Sequence, residues 1–301
     1  MDAPLSQHPQ PSIRLVSWNV AGRTSCMGER IRAIRRLRPD ILALQETTAG
    51  NLPAFHDALP DLGLTHVLDS RALAPRTGRL VGARKYGELL ASRWPVDAFA
   101  PTGFEVPWPE RILSTLVRTP CGDVEVHVAH LPTGVGHGWL KIETFEGIFD
   151  RLSRPATTPR ILCGDFNSPQ AEGPGGEIIT WGQDVGPDGR GDPPPGTDAW
   201  DSGERSVLEG LATYDLHDVY RTLHPRAEAF SWYWRGGGKS GAEPIGRRFD
   251  HVFASASLGA TACRYVHDVR EDGLSDHSAI LVEFAAPVTT NGTPARQRGE
   301  S

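Results

Sequence analysis

Arg160-Ile161-Leu162-Cys163-Gly164-Asp165-Phe166-Asn167-Ser168 is an apolar run that breaks off in a carboxylate and a carboxamide. Residues 161 to 163 have the continuous apolar character of a strand covered on both faces. Gly164 lets the backbone bend there or be approached closely. Asp165 and Asn167 follow with one residue between them, and in extended backbone such residues point to the same side, so both would face one cavity. A turn in which the two side chains bond their own backbone also accounts for so short a motif. What decides between the two is whether the pattern recurs.

It recurs along the whole chain. Residues 13 to 20, IRLVSWNV, form a β-branched and aromatic strand with Asn19 near its end, just before the Ala21-Gly22 break. Residues 40 to 47, DILALQET, form a third such run with Glu46 near its tip. On a strand buried on both faces an unpaired carboxylate costs several kcal/mol, so Glu46 calls for a cation. Residues 112–118 and 124–131 read as a hairpin around the turn 120–123, and the second strand ends at His130. The aromatic strand 230–234, FSWYW, is followed by strand 247–253 with Asp250, and LSDHS at 274–278 opens the last strand, 279–284. Strands are also expected at 65–68 and 88–92, and helices at 51–59, 139–152, 207–211 and 218–223. Helix 29–38 carries Ile31, Ile34 and Leu37 at helical spacing, with five arginines expected to form a solvated outer face.

The chain has 301 residues, 39% hydrophobic and 23% charged, as in an ordinary soluble globular enzyme. Its net charge of −6 excludes a molecule drawn as a whole to DNA or to an anionic membrane. Any polyanion must be met by local cations, for which Arg76, Arg79, Arg84, Lys85, Arg235 and Lys239 are the candidates. No stretch approaches a membrane span and the N-terminus has no leader pattern, so a cytoplasmic monomer is expected. Cys26, Cys121, Cys163 and Cys263 are too scattered for a zinc site or a disulfide scaffold and are expected to be reduced, mostly buried thiols. Residues 1–12 and 287–301 read as tails around one domain, 13–286, with a mobile loop at about 183–200.

Collected, Asn19, Glu46, His130, Asp165, Asn167, Asp250, Asp276 and His277 each stand at or near a strand end. Hard oxygen donors with few carboxylates suit Mg2+, with Mn2+ as a substitute, whereas zinc would want more imidazole or thiolate. Such a metal stabilises charge on a phosphoryl oxygen while a histidine takes a proton from water or binds the phosphate. The chemistry expected is phosphoester hydrolysis.

Ser17-Trp18-Asn19-Val20, Leu44-Gln45-Glu46-Thr47, Gly164-Asp165-Phe166-Asn167, Arg248-Phe249-Asp250-His251 and Ser275-Asp276-His277 resemble, in order, the motif set of the endonuclease/exonuclease/phosphatase superfamily. The resemblance implies a four-layer αββα sandwich of the α/β class, the DNase I-like fold, with two mixed sheets face to face and helices outside. It also implies roles: Asn19, Glu46 and Asp276 for the metal, and Asp165 and Asn167 for the attacking water and the scissile phosphate. His277 would be the catalytic histidine, and Asp250 the carboxylate that fixes its tautomer. His130 matches the deoxyribonuclease I-like and phosphatase-like branches, where abasic-site enzymes similar to exonuclease III have tyrosine. Thr48 stands where those enzymes commonly have lysine. Trp232 and Trp234 pull the other way, resembling the aromatic wall around an extruded sugar, although core packing explains them as well. With Arg248 and Tyr86 they are the candidate substrate contacts. The leading expectation is a nuclease or phosphodiesterase acting on nucleic acid. The alternatives are a hydrolase of a small or lipid phosphate, of the inositol phosphate or sphingomyelin type, and an inactive binding module on the same fold.

Overall fold

The computed structural model describes residues 12–73, 81–98, 103–185, 191–192, 197–234 and 243–285. Arg76, Arg79, Arg235 and Lys239, half of the loop expected at 183–200 and nearly all of both tails lie outside the described residues. The first half of the chain runs β1 (Ser12–Asn19), α1 (Met27–Leu37), β2 (Ile41–Thr47), α2 (Leu52–Ala58), β3 (His66–Asp69), α3 (Ser70–Leu73), β4 (Gly87–Ser92), β5 (Val96–Ala98), β6 (Ile112–Thr119) and β7 (Gly122–His130). The chain continues through α4 (Gly134–His137), α5 (Leu140–Leu152), β8 (Arg160–Asp165) and four two-residue strands: β9 (Ala171–Glu172), β10 (Ile178–Ile179), β11 (Asp184–Val185) and β12 (Gly191–Asp192). It ends with α6 (Asp198–Leu208), β13 (His217–Asp218), α7 (Val219–Leu223), β14 (Trp232–Trp234), β15 (Ile245–Arg247), β16 (Asp250–Ala254), β17 (Ala260–Val266), α8 (Asp268–Glu271) and β18 (Ala279–Ala285).

Two six-stranded sheets dominate, ordered β17-β18-β1-β2-β4-β3 and β5-β6-β7-β8-β16-β13. Written this way they share one pattern: only the third and fourth strands of each, β1/β2 and β7/β8, are parallel. Parallel neighbours need a crossover, and α1 and α5 lie within those two crossovers. Alternation along the strands then builds three cores. Leu15, Ala43, Val128, Ile161 and Val282 meet between the sheets. Val16 and Leu42 turn outward against Ile34 of α1 and Phe55 of α2, while Ala129 and Leu162 turn outward against Phe145 of α5 and Val207 of α6. Helices on both outer faces are why the central strands read as unbroken apolar runs. Each fully buried Leu or Phe contributes about 1.5–3 kcal/mol.

Two glycines set close approaches. At Gly164, with φ +143°, a Cβ would lie 1.8 Å from the Ala129 carbonyl oxygen, so β7 and β8 can meet at their tips only without a side chain there. At Gly203 a Cβ would lie 2.6 Å from Ile142, which lets α6 lie against α5.

The structure departs from the sequence reading in four places. α6 begins at Asp198, inside the interval read as loop, and ends at Leu208 instead of spanning 207–211, because Val207 and Leu208 close the outer core beneath it. β17 was not expected: alanines at 260 and 262 weaken the β signal of Thr261, Tyr265 and Val266, and the strand is held as the edge partner of β18. Arg30 does not join the solvated face of α1. It is fully buried and donates to the Leu274 carbonyl at 2.8 and 2.6 Å and to the Arg23 carbonyl at 2.7 Å. Of the four thiols only Cys163 and Cys263 are buried; Cys121 is half-buried and Cys26 exposed. No described helix is long and apolar enough to cross a membrane.

Candidate active site

The strand tips converge on Asp165, which is buried at the end of β8. Its Oδ1 accepts the Asn167 N–H at 2.9 Å and its Oδ2 accepts Asn19 Nδ2 at 2.8 Å. The local turn posed by the sequence is therefore present at Oδ1, while Oδ2 faces Asn19 at the tip of β1. Asn167 is not extended but left-handed, at φ +50°, and its Nδ2 donates to the Leu131 carbonyl at 2.8 Å. Glu46 is also left-handed, at φ +57°, where the β2/β4 register slips between Leu44 and Thr47. That slip carries its carboxylate toward Asn19, which donates to Glu46 Oε1 at 3.1 Å.

Asn19 thus bridges the two carboxylates with its nitrogen, while its oxygen accepts the Ala21 N–H at 2.8 Å. In this structure Asn19 holds Glu46 and Asp165 together, at the place where the resemblance puts a metal. His130 Nε2 lies 3.5 Å from Glu46 and 3.7 Å from Asp165. On its other side Nδ1 bonds Arg111 Nη1. A guanidinium can only donate, so Nδ1 accepts and the ring proton sits on Nε2, facing the cleft.

His277 enters from the opposite sheet. Its Nδ1 meets Asp250 Oδ2 at 2.8 Å and its Nε2 lies 3.6 Å from Asp165. The loop that carries it is braced by Arg30 on Leu274 and by the Ser275 hydroxyl, which donates to the Asn19 carbonyl at 2.6 Å and accepts the His277 N–H at 3.2 Å. Asp276 is exposed and accepts Trp232 Nε1 at 3.3 Å.

Electrostatics follow from burial and crowding. Burial raises Asp165 to about 7, with Asp250 adding to the shift and His277 opposing it. Burial also raises Glu46, with Asn19 opposing. It raises Glu88 well above the carboxylate range, against Arg111 and with help from Glu46 and Asp165. Burial and the Arg111 charge push His130 well below its usual value, so it stays neutral. Burial opposes charge on His277 too, but Asp250 and Asp165 outweigh it and lift the ring to about 10.

Arg248 contradicts its assignment as a substrate contact. It is 2% exposed and donates to Glu172 Oε1 at 2.5 Å and to Asp218 at 2.7 Å, a closed ion-pair cluster under the sheet edge. Arg84, one of the local cations, is paired with Glu110 at 2.5 and 2.7 Å. Tyr86 stands at the rim, 6.4 Å from the His130 ring, with Lys85 and Arg111 over its face. Trp232 stacks on Phe249 at 5.3 Å and lies 6.5 Å from the His277 ring; Trp234 is half exposed beside it. Arg111 was missed, and so was Glu88, although Glu88 stands at a strand end, the same signal that singled out the others. Neither Glu88 oxygen has a hydrogen-bond partner.

Glu46, Asp165 and His130 bring ligand atoms within 4.8 Å of one another, as do Asp165, Asp250 and His277. Burial raises Glu46, Asp165 and Glu88, and both Glu88 oxygens lack a hydrogen-bond partner, so a cation among them would relieve the cost of burying charge. The donor set fits a divalent cation bound through oxygen.

A family model described as the endonuclease/exonuclease/phosphatase family matches residues 16–277. Among solved structures, the chain is similar to an AP endonuclease from Archaeoglobus fulgidus, with TM-score 0.64 and 18% identity over 90% of this chain and 99% of that one. It is also similar to a humanized D. rerio TDP2, with TM-score 0.62 and 15% identity over 91% and 98%. The 3' phosphatase NExo from Neisseria, bound to a product DNA hairpin, gives 0.59 and 20% over 90% and 99%. No curated protein matches the chain. The two mixed sheets, the helices outside them and the family match agree: the chain belongs to the endonuclease/exonuclease/phosphatase family of phosphoester hydrolases.

Proposed function

We propose that the protein is a Mg2+-dependent phosphodiesterase that cleaves nucleic-acid strands. The observation that carries this reading is the Asp165 carboxylate, held near neutrality between Glu46 and His130 on one side and the Asp250–His277 pair on the other. Glu46 and Asp165 would hold the metal with Asp276 close by, and Mg2+ when bound supplies charge stabilisation on the phosphoryl oxygen. Asp165, 3.6 Å from His277 and 3.7 Å from His130, would orient the attacking water beside the metal. Its Oδ1 is fixed by the Asn167 N–H and its Oδ2 by Asn19, so only a small rotation is open to it. His277 donates from Nε2 to a phosphate oxygen, with Asp250 holding Nδ1 in place. His130 donates from its own Nε2, and Arg111 keeps it in that tautomer.

Nucleic acid is favoured as substrate by the aromatic wall of Trp232 and Trp234 beside His277. The solved relatives named as an AP endonuclease and as a 3' phosphatase on a DNA hairpin agree with it. Turnover with Mg2+ on abasic duplex, single strand, RNA, inositol phosphate and sphingomyelin tests the substrate class. Hydrolysis confined to the last two overturns it. Glu46→Gln tests the metal role: activity falls at low Mg2+ and partly returns as Mg2+ is raised. Unchanged activity at low Mg2+ removes Glu46 from the site.

A further inference from the structure

Six large apolar side chains are exposed among the described residues, and four of them, Val135, Trp181, Trp234 and Ile245, line one cavity of about 590 Å3. A fifth, Trp139, packs 5.3 Å from Trp200, which lines the same cavity. Exposed apolar surface gathered this way marks a binding site. The cavity reaches Asn167, Trp232 and Phe249, so it adjoins the place where the scissile phosphate would lie. Its size falls in the range of about 300–1,000 Å3 that takes drug-sized ligands, more than a sugar alone fills.

The walls present faces and few donors. Trp181 Nε1 donates to the Asn167 carbonyl at 3.0 Å, Trp200 Nε1 to Glu204 at 3.3 Å and Trp232 Nε1 to Asp276 at 3.3 Å. With those indole N–H groups engaged, the cavity offers π surface and leaves the edge of an aromatic ligand largely unread. Glu204, fully buried, holds the arrangement in place. It accepts from Lys141 at 2.6 Å, from the Ser168 hydroxyl at 2.7 Å and from the Trp181 N–H at 2.8 Å, while Lys141 also donates to the Asn167 carbonyl at 3.0 Å. One buried ion pair therefore fixes two indole walls and the loop of Asn167 together. Arg247, its guanidinium 5.7 Å from the Trp181 ring, adds a positive charge to the lining where a neighbouring phosphate would run.

We propose that this cavity is a stacking subsite for an unpaired nucleobase next to the scissile phosphate, indifferent to base identity. Single-stranded or frayed nucleic acid is then preferred to intact duplex. The inference rests on the nucleic-acid reading above and deepens it. Ring faces are common to all bases, and stacking on indole tolerates any sequence. A lipid chain would need the apolar surface but not the flat walls or Arg247.

The test is equilibrium binding without Mg2+ of three probes of equal length: oligo-dT, oligo-dA and a strand of tetrahydrofuran abasic residues. The two base-containing strands should bind within a few-fold of each other and roughly 5- to 100-fold tighter than the abasic strand, the scale of a stacked base. They should quench tryptophan fluorescence, and the abasic strand should not. Trp234→Ala, at a half-exposed position, should shrink the difference between base-containing and abasic strands. Equal binding of all three without quenching overturns the proposal, whatever the variant does. So does quenching by sphingomyelin vesicles but not by oligonucleotides. Equal Mg2+-dependent cleavage of base-containing and abasic strands would overturn only the stacking subsite, whereas no cleavage of any strand would overturn the nucleic-acid reading itself.

Discussion

β2 and β8 occupy equivalent places in their sheets, each beside a parallel neighbour, and each delivers a carboxylate, Glu46 or Asp165. The neighbours end in Asn19 and His130. The equivalence extends further. Asp250 opens β16, next to β8, and Glu88 lies at the start of β4, next to β2. His277 precedes β18 and Arg111 precedes β6, again equivalent strands. The pair Asp250–His277 therefore has Glu88–Arg111 as its counterpart across the cleft. One pair is closed by a 2.8 Å bond; in the other, Arg111 bonds His130 and both Glu88 oxygens are left unpartnered. An imidazolium can hand a proton to a neighbouring group and a guanidinium cannot. The same scaffold thus sets a proton-carrying group on one side and a permanent charge on the other.

The largest effect should come from making the two sides alike. His277→Ala is expected to lower turnover roughly 10² to 10⁴-fold, the scale of a positioned acid, base or phosphate ligand. His277→Arg keeps the charge and loses the transferable proton, and should be about as slow. Recovery by the arginine variant to within about tenfold of wild type would show that charge alone is needed and would break the comparison. Steady-state kinetics with melting curves on both variants decide it.

The Asp250–His277 side is braced by Arg248 with Glu172 and Asp218. Arg248→Met leaves the partly buried Glu172 with Arg221 and Asp218 with His251, and should cost about 1–3 kcal/mol of stability, with KM unchanged where the protein is still folded. A raised KM with unchanged melting would return Arg248 to the substrate site. Burial opposes charge on Asp218 and Glu172, but Arg248 outweighs it and holds both below their usual values. Their stabilisation is present above about pH 4 and is lost as pH falls through the depressed values, so wild type and variant should converge in acid.

The smallest effect concerns Glu88, whose folded-state pKa is raised. The folded state then binds a proton that the unfolded state releases above about pH 4.3, so wild-type stability falls as pH rises from there. Glu88→Gln removes that loss. Without metal it should gain about 1–3 kcal/mol by pH 8 and nothing at pH 4. Equal melting at both pH values would mean that Glu88 has a partner the geometry does not show.

The polar strand ends were legible because a carboxylate or carboxamide beside an apolar run is costly without a partner: Asn19, Glu46 and Asp165 follow such runs, and Asp250 opens one. Arg111 was not legible, since an arginine before a strand is ordinary in any sequence. Trp181 and Trp200 lay near or within a stretch rich in glycine and proline, with no period to place them. Arg248 misled, because its place in a motif beside aromatics says nothing about which way the guanidinium turns.

Local pattern by itself determined the central strands and their both-sided burial, the helices α1 and α5, and the identity of most polar tips. Those depend on alternation, on β-branched content and on the penalty for burying unpaired charge, all properties of short segments. Only the tertiary structure decided that Asn19 bridges Glu46 and Asp165, that Arg248 and Arg30 are buried braces, and that Glu88–Arg111 mirrors Asp250–His277. These are contacts between residues far apart in the chain. Their partners are set by how two sheets of matching strand order pack face to face, and no single segment encodes that packing.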